Sequence, residues 1–383
     1  MLDAVHGYIE IEEWAKKIID LPLFQRLNHV RQLTSAQYVF PGAQHTRKIH
    51  SIGAMHIASK YIHSILNSKR TTLSLNQKEK EEMIMHVELA ALLHDIGHGM
   101  FSHSFDSTIY SQMYPDVHKG HDVHRHILLP YFKKYLNFDE QKIKDVWNND
   151  IKYLSAIING PVSCDRGDFL KRDSYFCGIN YGIFDMDRII ANTWFDKNAN
   201  GDIVLVYDSK IVPSIIQGLS SRLYLYSEIY LHKNVIAASI LIELMILEAS
   251  SVLDYVSRTK NIEEFIYMND GSVFHEILSS RDVRLEKARY FAKLLYERRL
   301  PKMITEERKI YKGQKLTFGI TMLDDSHVKW ISRVLTRNFT EEFEESSIYI
   351  SKEGRLYSFS DYINLSHIEI SDESYYYERI YLI

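Results

Sequence analysis

Cysteine is nearly missing from this chain of 383 residues, which contains only Cys164 and Cys177. Two thiols are too few for a disulfide-stapled scaffold or for a zinc site built from four cysteines. So little cysteine is typical of a protein from a reducing compartment, and we expect a cytoplasmic location.

Strong charge of one sign is missing too, because 46 basic and 50 acidic residues leave a net charge of −4. Bulk charge therefore gives no affinity for nucleic-acid backbones, although a local basic pocket remains compatible with it. No basic stretch followed by an apolar core opens the chain, so we expect no signal peptide. The most apolar stretch, residues 235–247, is interrupted by Ser239 and Glu243 and is too short to span a bilayer, which predicts a buried helix and no membrane partner.

Proline and glycine are scarce as well, with seven and sixteen residues, and no repeats are present. Helical periodicity predicts segments at residues 12–19, 24–33, 50–67, 77–94, 121–135, 142–158, 165–177, 213–256 and 281–298. Turn residues and alternating patterns predict strands within residues 193–207, 347–350, 356–359 and 375–383. We therefore predict a mostly α fold, with a helical domain over residues 1–300 and a small α+β C-terminal region over residues 301–383.

The stretch HDIGHGMFSH at residues 94–103 carries the strongest chemical signal. His94 and Asp95 end a predicted buried helix, where an imidazole and a carboxylate each need a partner. A divalent cation satisfies both, and mixed nitrogen and oxygen ligands suit metals from Mn²⁺ through Fe²⁺ to Zn²⁺. Two ligands are too few, so His50 and Asp165 are the candidates for completing the site. A single histidine is more often a hydrogen-bonded core or surface residue, but the histidines cluster around this stretch.

These motifs resemble the HD superfamily of phosphohydrolases, and in particular its deoxynucleoside triphosphate triphosphohydrolase branch, which includes members with an added sterile-alpha-motif domain. The resemblance covers residues 3–240 and implies an HD-domain helical core. The matching strings are DxxHG from Asp3, FQRL from Phe24, QL from Gln32, VFPGA from Val39, HxRxxHS from His45, HDxGHGxFSH from His94, the segment 165–173, and YxHK from Tyr230.

The resemblance implies a role for each matching residue. One divalent metal ion would be held by His50, His94, Asp95 and Asp165, with Mn, Fe, Zn, Ni and Mg all open. The catalytic group would be His98, Asp106 and His121, with His103 contacting a phosphate. Such an arrangement suits hydrolysis, because a metal activates water and an imidazole tuned by a carboxylate moves the proton. The alternative for Asp106 and His121 is a surface hydrogen bond.

Three arginines, Arg47, Arg166 and Arg222, would clamp phosphates, since a guanidinium engages two phosphate oxygens at once. Arg166 stands where the family usually has lysine. For each arginine taken alone, the alternative is a solvated charge.

The sugar and base would meet a second set of residues. Gln32 and Leu33 would border the sugar, Asp173 would accept a hydrogen bond from the 3′-hydroxyl, and Tyr230 would stack on the base. Phe169 replaces a family tyrosine, so an aromatic wall is kept while one hydrogen bond, typically worth about 0.5–1.5 kcal/mol, is lost.

The favoured function is hydrolysis of a deoxynucleoside triphosphate to a deoxynucleoside and tripolyphosphate. Two alternatives stay open: a phosphohydrolase acting on another nucleotide such as a monophosphate, and a nucleotide sensor or single-strand nucleic-acid binder with a residual metal site. Three arginines favour a triphosphate, and the intact catalytic set argues against a sensor. The resemblance also implies a homo-oligomer, a dimer or tetramer, and nucleic acid is not the favoured partner.

In the activated branch of the family, a guanine nucleotide binds near the region matching residues 20–28. Asp20 and Gln25 are present here, but Asn28 stands where an arginine is expected and Tyr8 replaces a histidine. Asp20 equally fits the role of a cap for the helix containing Phe24. We expect hydrolysis that does not require GTP or dGTP.

Overall fold

The structure is a computed structural model that describes residues 1–117, 119–332, 335–336, 343, 345–366 and 374–383. The described helices are α1 (Glu13–Ile19), α2 (Pro22–Gln25), α3 (Arg47–Asn67), α4 (Gln77–Leu93), α5 (His103–Phe105), α6 (Ser111–Met113), α7 (Gly120–Lys133), α8 (Glu140–Trp147), α9 (Lys152–Asn159), α10 (Cys164–Cys177), α11 (Met186–Ala191), α12 (Val212–Leu225), α13 (Lys233–Leu253), α14 (Tyr255–Lys260), α15 (Ile262–Phe265), α16 (Asp270–Ser279), α17 (Glu286–Tyr296) and α18 (Phe359–Leu365). Short π-helical turns cover Asp106–Tyr110 and Tyr226–Tyr230, and 3₁₀ turns cover Arg26–His29, Ala36–Tyr38, Ser209–Ile211 and Val283–Leu285.

The described strands are β1 (Leu2–Asp3), β2 (Gly7–Tyr8), β3 (Thr193–Lys197), β4 (Ile203–Asp208), β5 (Lys302–Ile310), β6 (Gly319–Met322), β7 (His327–Ile331), β8 (Leu335–Thr336), β9 (Ile348–Lys352), β10 (Arg355–Ser358) and β11 (Ser374–Leu382). Helices dominate up to residue 300 and strands beyond it, so the predicted mostly α fold with a small α+β C-terminal region is confirmed.

Several predicted helices are wrong in their extent. The segment 24–33 ends as a helix at Gln25, after which only a 3₁₀ turn follows. The segment 142–158 is two helices, because Asn149 has a φ of 68° in the left-handed region. The segment 213–256 is broken by the π-helical turn after α12 and by Asp254, whose φ is 46°. Apolar residues recur on both sides of each break, so periodicity alone does not reveal it.

Helix α4 runs from the surface into the core and ends directly before the HDIGHGMFSH stretch at residues 94–103. It begins with a capping box in which the Asn76 side chain accepts from Glu79 N while the Glu79 carboxylate accepts from Asn76 N. This reciprocal pair satisfies two amide groups at the helix start. From residue 86 to residue 93 every side chain is buried, so the helix ends at Leu93 inside the protein. His94 and Asp95 therefore emerge in a buried turn.

Two glycines allow other helices to approach this turn. A Cβ atom on Gly53 of α3 would lie 1.9 Å from Asp168 Oδ1 of α10, and one on Gly97 would lie 2.1 Å from the carbonyl oxygen of His121 in α7. Both contacts are shorter than any real Cβ contact, so only glycine fits there. The first glycine lets α10 pack against α3, and the second lets α7 pack against the turn after α4.

Helix α13 contains the apolar stretch 235–247, which was predicted to form a buried helix, and extends beyond it at both ends. It is the one helix of the described chain that could cross a membrane by length and composition, and 67% of its most apolar window is buried inside the protein. It packs against α17 and the π-helical turn Asp106–Tyr110. Such contacts are typical of a central core helix.

Strands from both sides of residue 300 share one sheet, in the order β10-β9-β4-β3. The parallel pair places Leu205 of β4 opposite Ile348 of β9. A second sheet has the order β5-β11-β7-β6, with β8 also paired to β11, and it joins α13 through the Tyr381 hydroxyl, which donates to the Lys233 carbonyl over 3.0 Å. The division into domains at residue 300 stays a prediction.

Candidate metal centre and catalytic site

Four predicted residues from three helices meet at one point, and we call them the first cluster: His50, His94, Asp95 and Asp165. His50 lies in the first turn of α3, Asp165 lies in the first turn of α10, and the other two follow α4. His50 Nε2 is 3.1 Å from His94 Nε2, 3.1 Å from Asp165 Oδ1 and 3.6 Å from Asp95 Oδ2. His94 Nε2 is 3.4 Å from Asp95 Oδ1 and 3.5 Å from Asp165 Oδ1.

The two imidazoles face each other with their Nε2 atoms because their Nδ1 atoms are already engaged. The carbonyl oxygen of Ala91 lies 2.7 Å from His94 Nδ1 and can only accept a hydrogen bond. The Asp168 carboxylate lies 2.7 Å from His50 Nδ1 and also accepts. In the neutral form of both rings, two Nε2 lone pairs would therefore point at each other across 3.1 Å. A metal cation between them, or a proton on one of the rings, turns this repulsion into attraction.

The spacing of the first cluster fits a metal ion. Two ligands that bind one cation at about 2.1 Å, at angles of about 90–110°, lie about 3.0–3.4 Å apart. His50, His94 and Asp95 each offer a ligand atom within 4.8 Å of the others. Asp165 lies outside that group but approaches both imidazoles, and its side chain is 33% exposed. The donor set therefore fits a divalent cation that keeps one side open.

Negative charge around the imidazoles is balanced by one arginine. Arg47 Nη1 donates to Asp95 Oδ2 over 2.5 Å, and its Nε donates to Ser102 Oγ over 2.8 Å. Burial raises the pKa of Asp95, but Arg47, His94 and His98 outweigh burial and hold that pKa well below its usual range. Burial lowers the pKa of His50, but hydrogen bonds to Asp165 and Asp168 raise it to about 10. The cluster thus attracts positive charge, whether protons or a metal.

Behind His50 lies a second layer of polar side chains, which the sequence did not identify as functional. Asp168 accepts from His50 Nδ1 on one oxygen and lies 2.7 Å from His6 Nε2 with the other. Arg172 donates to both Asp168 oxygens over 2.8 Å and to Asp3 over 2.9 Å. Asp168 and Arg172 are fully buried. A carboxylate that accepts from the far nitrogen of a metal-binding histidine fixes its tautomer and ring orientation.

The second cluster consists of His98, His103, Asp106 and His121, all predicted as catalytic. Asp106 accepts from His121 at two places, from the backbone N over 3.0 Å and from Nδ1 over 2.7 Å. His98 stacks on His121, with ring centroids 3.8 Å apart, and its Nε2 is 3.3 Å from Asp95 Oδ1. His103 Nδ1 is 3.2 Å from Asp106 Oδ2, while 61% of its side chain is exposed. The two clusters therefore adjoin each other through His98 and Asp95.

A strained turn carries the second cluster. Phe101 and Ser102 both have positive φ, at 57° and 52°, which is costly for residues other than glycine. Asp270 of α16 holds this turn by accepting from Phe101 N over 2.6 Å and from Arg31 N over 3.1 Å. Arg26 holds it from the other side by donating to the carbonyls of Ile96 and His98. These supports come from residues far away in sequence, which is why no motif revealed them.

The three predicted phosphate-binding arginines start from different elements. Arg47 opens α3 and is buried against Asp95. Arg166 follows Asp165 on α10, and Arg222 lies on α12 with its guanidinium carbon 5.7 Å from the Tyr226 ring centre. Arg47 therefore contacts the first cluster directly, and Arg166 follows its member Asp165 in the chain. The role of all three arginines stays a prediction.

The residues predicted for the sugar and base lie along one wall. Leu33, Phe169 and Tyr230 all pack against the same small apolar group. Asp173 is held on both oxygens, by His45 Nε2 over 2.7 Å and by the Tyr230 hydroxyl over 2.6 Å. Tyr230 is thus tied to Asp173 through its hydroxyl, which the sequence did not indicate. The Gln32 Oε1 atom is buried and has no hydrogen-bond partner within the described part of the chain.

Comparison with known proteins shows which family and which relatives this chain resembles. A model of the HD domain family matches residues 47–148, which include three members of the first cluster and the whole second cluster. A relative from Dictyostelium discoideum, a deoxynucleoside triphosphate triphosphohydrolase SAMHD1 homolog, is 30% identical over 79% of this chain. The human deoxynucleoside triphosphate triphosphohydrolase SAMHD1 is 28% identical over 79% of this chain, and an uncharacterized protein of Methanocaldococcus jannaschii is 30% identical over 74%.

The chain spans only part of these relatives. It covers 59% of the Dictyostelium protein, 54% of the human protein and 56% of the Methanocaldococcus protein. The similarity therefore reaches over most of this chain and over little more than half of each relative.

Proposed function

We propose that this chain, which a model of the HD domain family matches over residues 47–148, is a metal-dependent phosphohydrolase that splits deoxynucleoside triphosphates into deoxynucleoside and tripolyphosphate. The observation that carries the proposal is the pair of Nε2 atoms of His50 and His94, 3.1 Å apart with their Nδ1 atoms engaged, beside a buried His121–Asp106 pair. The Dictyostelium and human relatives, which are named as deoxynucleoside triphosphate triphosphohydrolases, support the substrate class.

A divalent cation held by His50, His94, Asp95 and Asp165 would polarise a phosphoryl oxygen and acidify bound water. The overall reaction adds a water oxygen to the α-phosphorus and breaks the bond between that phosphorus and the 5′-oxygen. The proton released by water balances the proton that the 5′-oxygen must gain. The protein therefore has to move one proton across a short distance.

His121 is suited to that proton movement. Asp106 accepts from its Nδ1, which leaves Nε2 to accept or donate a proton at the reacting oxygen. His98 stacks on the same ring, and burial holds the pKa of His98 well below its usual range, so His98 stays neutral and adds no competing charge. His103, more exposed, would contact a phosphate from the open side.

The substrate would be held by the remaining predicted residues. Arg47, Arg166 and Arg222 would bind phosphates, and a triphosphate needs more cations than a monophosphate does. Leu33 and Phe169 would form an apolar wall beside the sugar, with Asp173 and Tyr230 already fixed to one another. The amide oxygen of Gln32, which has no partner among the described residues, supports a polar ligand group near this wall, because a buried acceptor without a partner costs free energy.

Product analysis by mass spectrometry tests this proposal. Purified protein is given a panel of NTPs, dNTPs and dNMPs with Mn²⁺, Fe²⁺, Zn²⁺, Ni²⁺ and Mg²⁺, each with and without GTP. We expect deoxynucleoside and tripolyphosphate from dNTPs, without a requirement for GTP. Release of orthophosphate from dNMPs alone would make the protein a monophosphate hydrolase instead.

A binding module is the remaining alternative, and a gel-shift assay with single-stranded nucleic acid decides it. Tight binding together with no turnover of any nucleotide would contradict the enzyme. We also propose a homo-oligomer and a cytoplasmic location. Light scattering after gel filtration checks the former, with a dimer or tetramer expected.

A further inference from the structure

A cavity of about 570 Å³ lies away from both histidine clusters, between the N-terminal segment and helices α3 and α4. None of the residues that line it belongs to either cluster. Cavities of roughly 300–1,000 Å³ are the usual size for small-molecule sites. The volume is therefore sufficient for a ligand other than the nucleotide.

A buried carboxylate forms part of the cavity wall. The Glu88 side chain is only 7% exposed, and the nearest basic atom among its described ion-pair partners is His63 Nε2, 3.9 Å from Glu88 Oε1. Burial raises the pKa of Glu88 to about 7, although a hydrogen bond from Ser59 lowers it, and nearby Glu12 raises it further. Keeping this buried carboxylate charged is costly, because no Lys or Arg of the described chain pairs with it, and an ammonium ligand would stabilise its charged form.

The charges around the cavity point to a cation. Glu10, Glu12 and Glu88 line it, against one ammonium group, that of Lys60. Lys60 is already paired with the Asp187 carboxylate. Burial lowers the pKa of His56, which also lines the cavity, so this ring is neutral near pH 7. The cavity therefore carries excess negative charge.

Aromatic rings complete the lining. The Trp14 indole donates through Nε1 to Glu12 Oε2 over 2.9 Å, and this bond fixes the ring beside a carboxylate. Tyr8 adds a second ring, with 85% of the residue exposed. Aromatic faces attract ammonium groups. By contrast, these carboxylates are not among the groups of described residues whose ligand atoms lie within 4.8 Å of one another, so a bare metal ion has no compact site here.

We propose that this cavity binds an organic ammonium ion with an alkyl chain, such as a polyamine. The ammonium group would pair with Glu88, while the chain would lie between Trp14 and the Met55 side chain. This inference does not depend on the proposed hydrolysis, because the cavity shares no residue with either cluster.

Isothermal titration calorimetry of the metal-loaded full chain with spermidine tests the proposal. We expect saturable binding with one molecule per chain, and binding at least about tenfold weaker in Glu88→Gln, which keeps the shape and removes the charge. Glu81→Gln is the matched control, because Glu81 is exposed on the same helix and its carboxylate accepts from the Gln77 side chain, away from the cavity lining. This control should bind like the wild type.

Three results would overturn the proposal: no saturable heat up to about 1 mM spermidine, equal affinity in Glu88→Gln and Glu81→Gln, or full displacement of spermidine by an equal concentration of Mg²⁺. The uncharged chain 1,8-octanediol should not bind. Circular dichroism establishes that each variant is folded. Should Glu88→Gln fail to fold, Glu12→Gln at the cavity rim takes its place, with weaker binding again expected.

Discussion

Two clusters of histidine and aspartate adjoin each other in this protein, and the fold holds them in opposite ways. The first cluster, around His50 and His94, is fixed by fully buried ionic contacts in which Asp168 and Arg172 reach back to the N-terminal segment. The second cluster, around Asp106 and His121, stands on a strained turn and a π-helical turn, and one of its members is mostly exposed.

This difference matches different chemical tasks. A metal site needs fixed ligands, because affinity falls when donors can drift from the geometry the ion requires. A proton-transfer site needs a polarised imidazole with one nitrogen free and open to substrate. The contrast therefore predicts that mutations will separate metal binding from turnover.

Asp95→Ala should have the largest effect, because it removes a ligand from the first cluster and leaves Arg47 without its carboxylate. Metal content and turnover should both collapse, by more than the roughly 10²–10⁴-fold typical of a lost general acid or base. Elemental analysis and product assays of purified protein check this. Asp187→Ala, a surface carboxylate paired with Lys60, is the control. Normal metal content in Asp95→Ala would remove Asp95 from the metal site.

His121→Ala should lower turnover by roughly 10²–10⁴-fold and leave metal content near normal, because only the second cluster is changed. The matched control is His126→Ala on the same helix, whose ring packs on Trp147 instead of Asp106. Steady-state kinetics beside elemental analysis separates the two effects. Loss of metal in His121→Ala would mean that the clusters do not divide the work as proposed.

Asp168→Asn should weaken metal binding by roughly 10–100-fold, the usual cost of losing a partner behind a ligand histidine. The amide keeps the size of the side chain but no longer fixes Nδ1 of His50 as a donor. Competition with a chelator measures the affinity, and a melting curve reports the separate cost of the buried Arg172. An affinity equal to that of wild type would show that the second layer only stabilises the fold.

Glu243→Gln should change turnover least and alter the pH dependence of stability. Burial in α13 raises the pKa of Glu243 to about 8, even though a hydrogen bond from Ser107 lowers it. A raised carboxyl pKa means that the folded state binds the proton more tightly, so stability is full below the ordinary pKa and is lost as pH rises towards 8, by on the order of 4 kcal/mol. Urea unfolding between pH 5 and pH 9 should show a flatter profile for the variant, and an unchanged slope would contradict this role.

The sequence indicates the residues of both clusters, but it does not indicate the buried residues that hold those clusters in place. The HDIGHGMFSH stretch and the strings around it identify His50, His94 and Asp95, and the structure brings them together. The sequence did not indicate a role for Asp168, Arg172 or Asp270. All three are buried, and a sequence alone does not show whether a charged side chain is buried or exposed to solvent. Their partners lie far away in sequence, as with Arg172 and Asp3.

The secondary structure was also predicted only in part from the sequence. The periodicity predicted that helices exist in these segments, whereas the breaks at Asn149 and Asp254 each coincide with a single residue in the left-handed region. The parallel pairing of β4 with β9 joins residues more than a hundred positions apart, and no local pattern predicts such a partner.

Metal stoichiometry tests the central claim most directly, since the second cluster also offers four side chains close enough together to hold an ion. Metal-free protein is titrated with Mn²⁺ or Fe²⁺ while bound metal and dNTP turnover are measured on the same samples. The division of labour predicts that turnover rises in proportion to bound metal and stops rising at one ion per chain. Turnover without metal, or a rise that continues to a second bound ion, would contradict it.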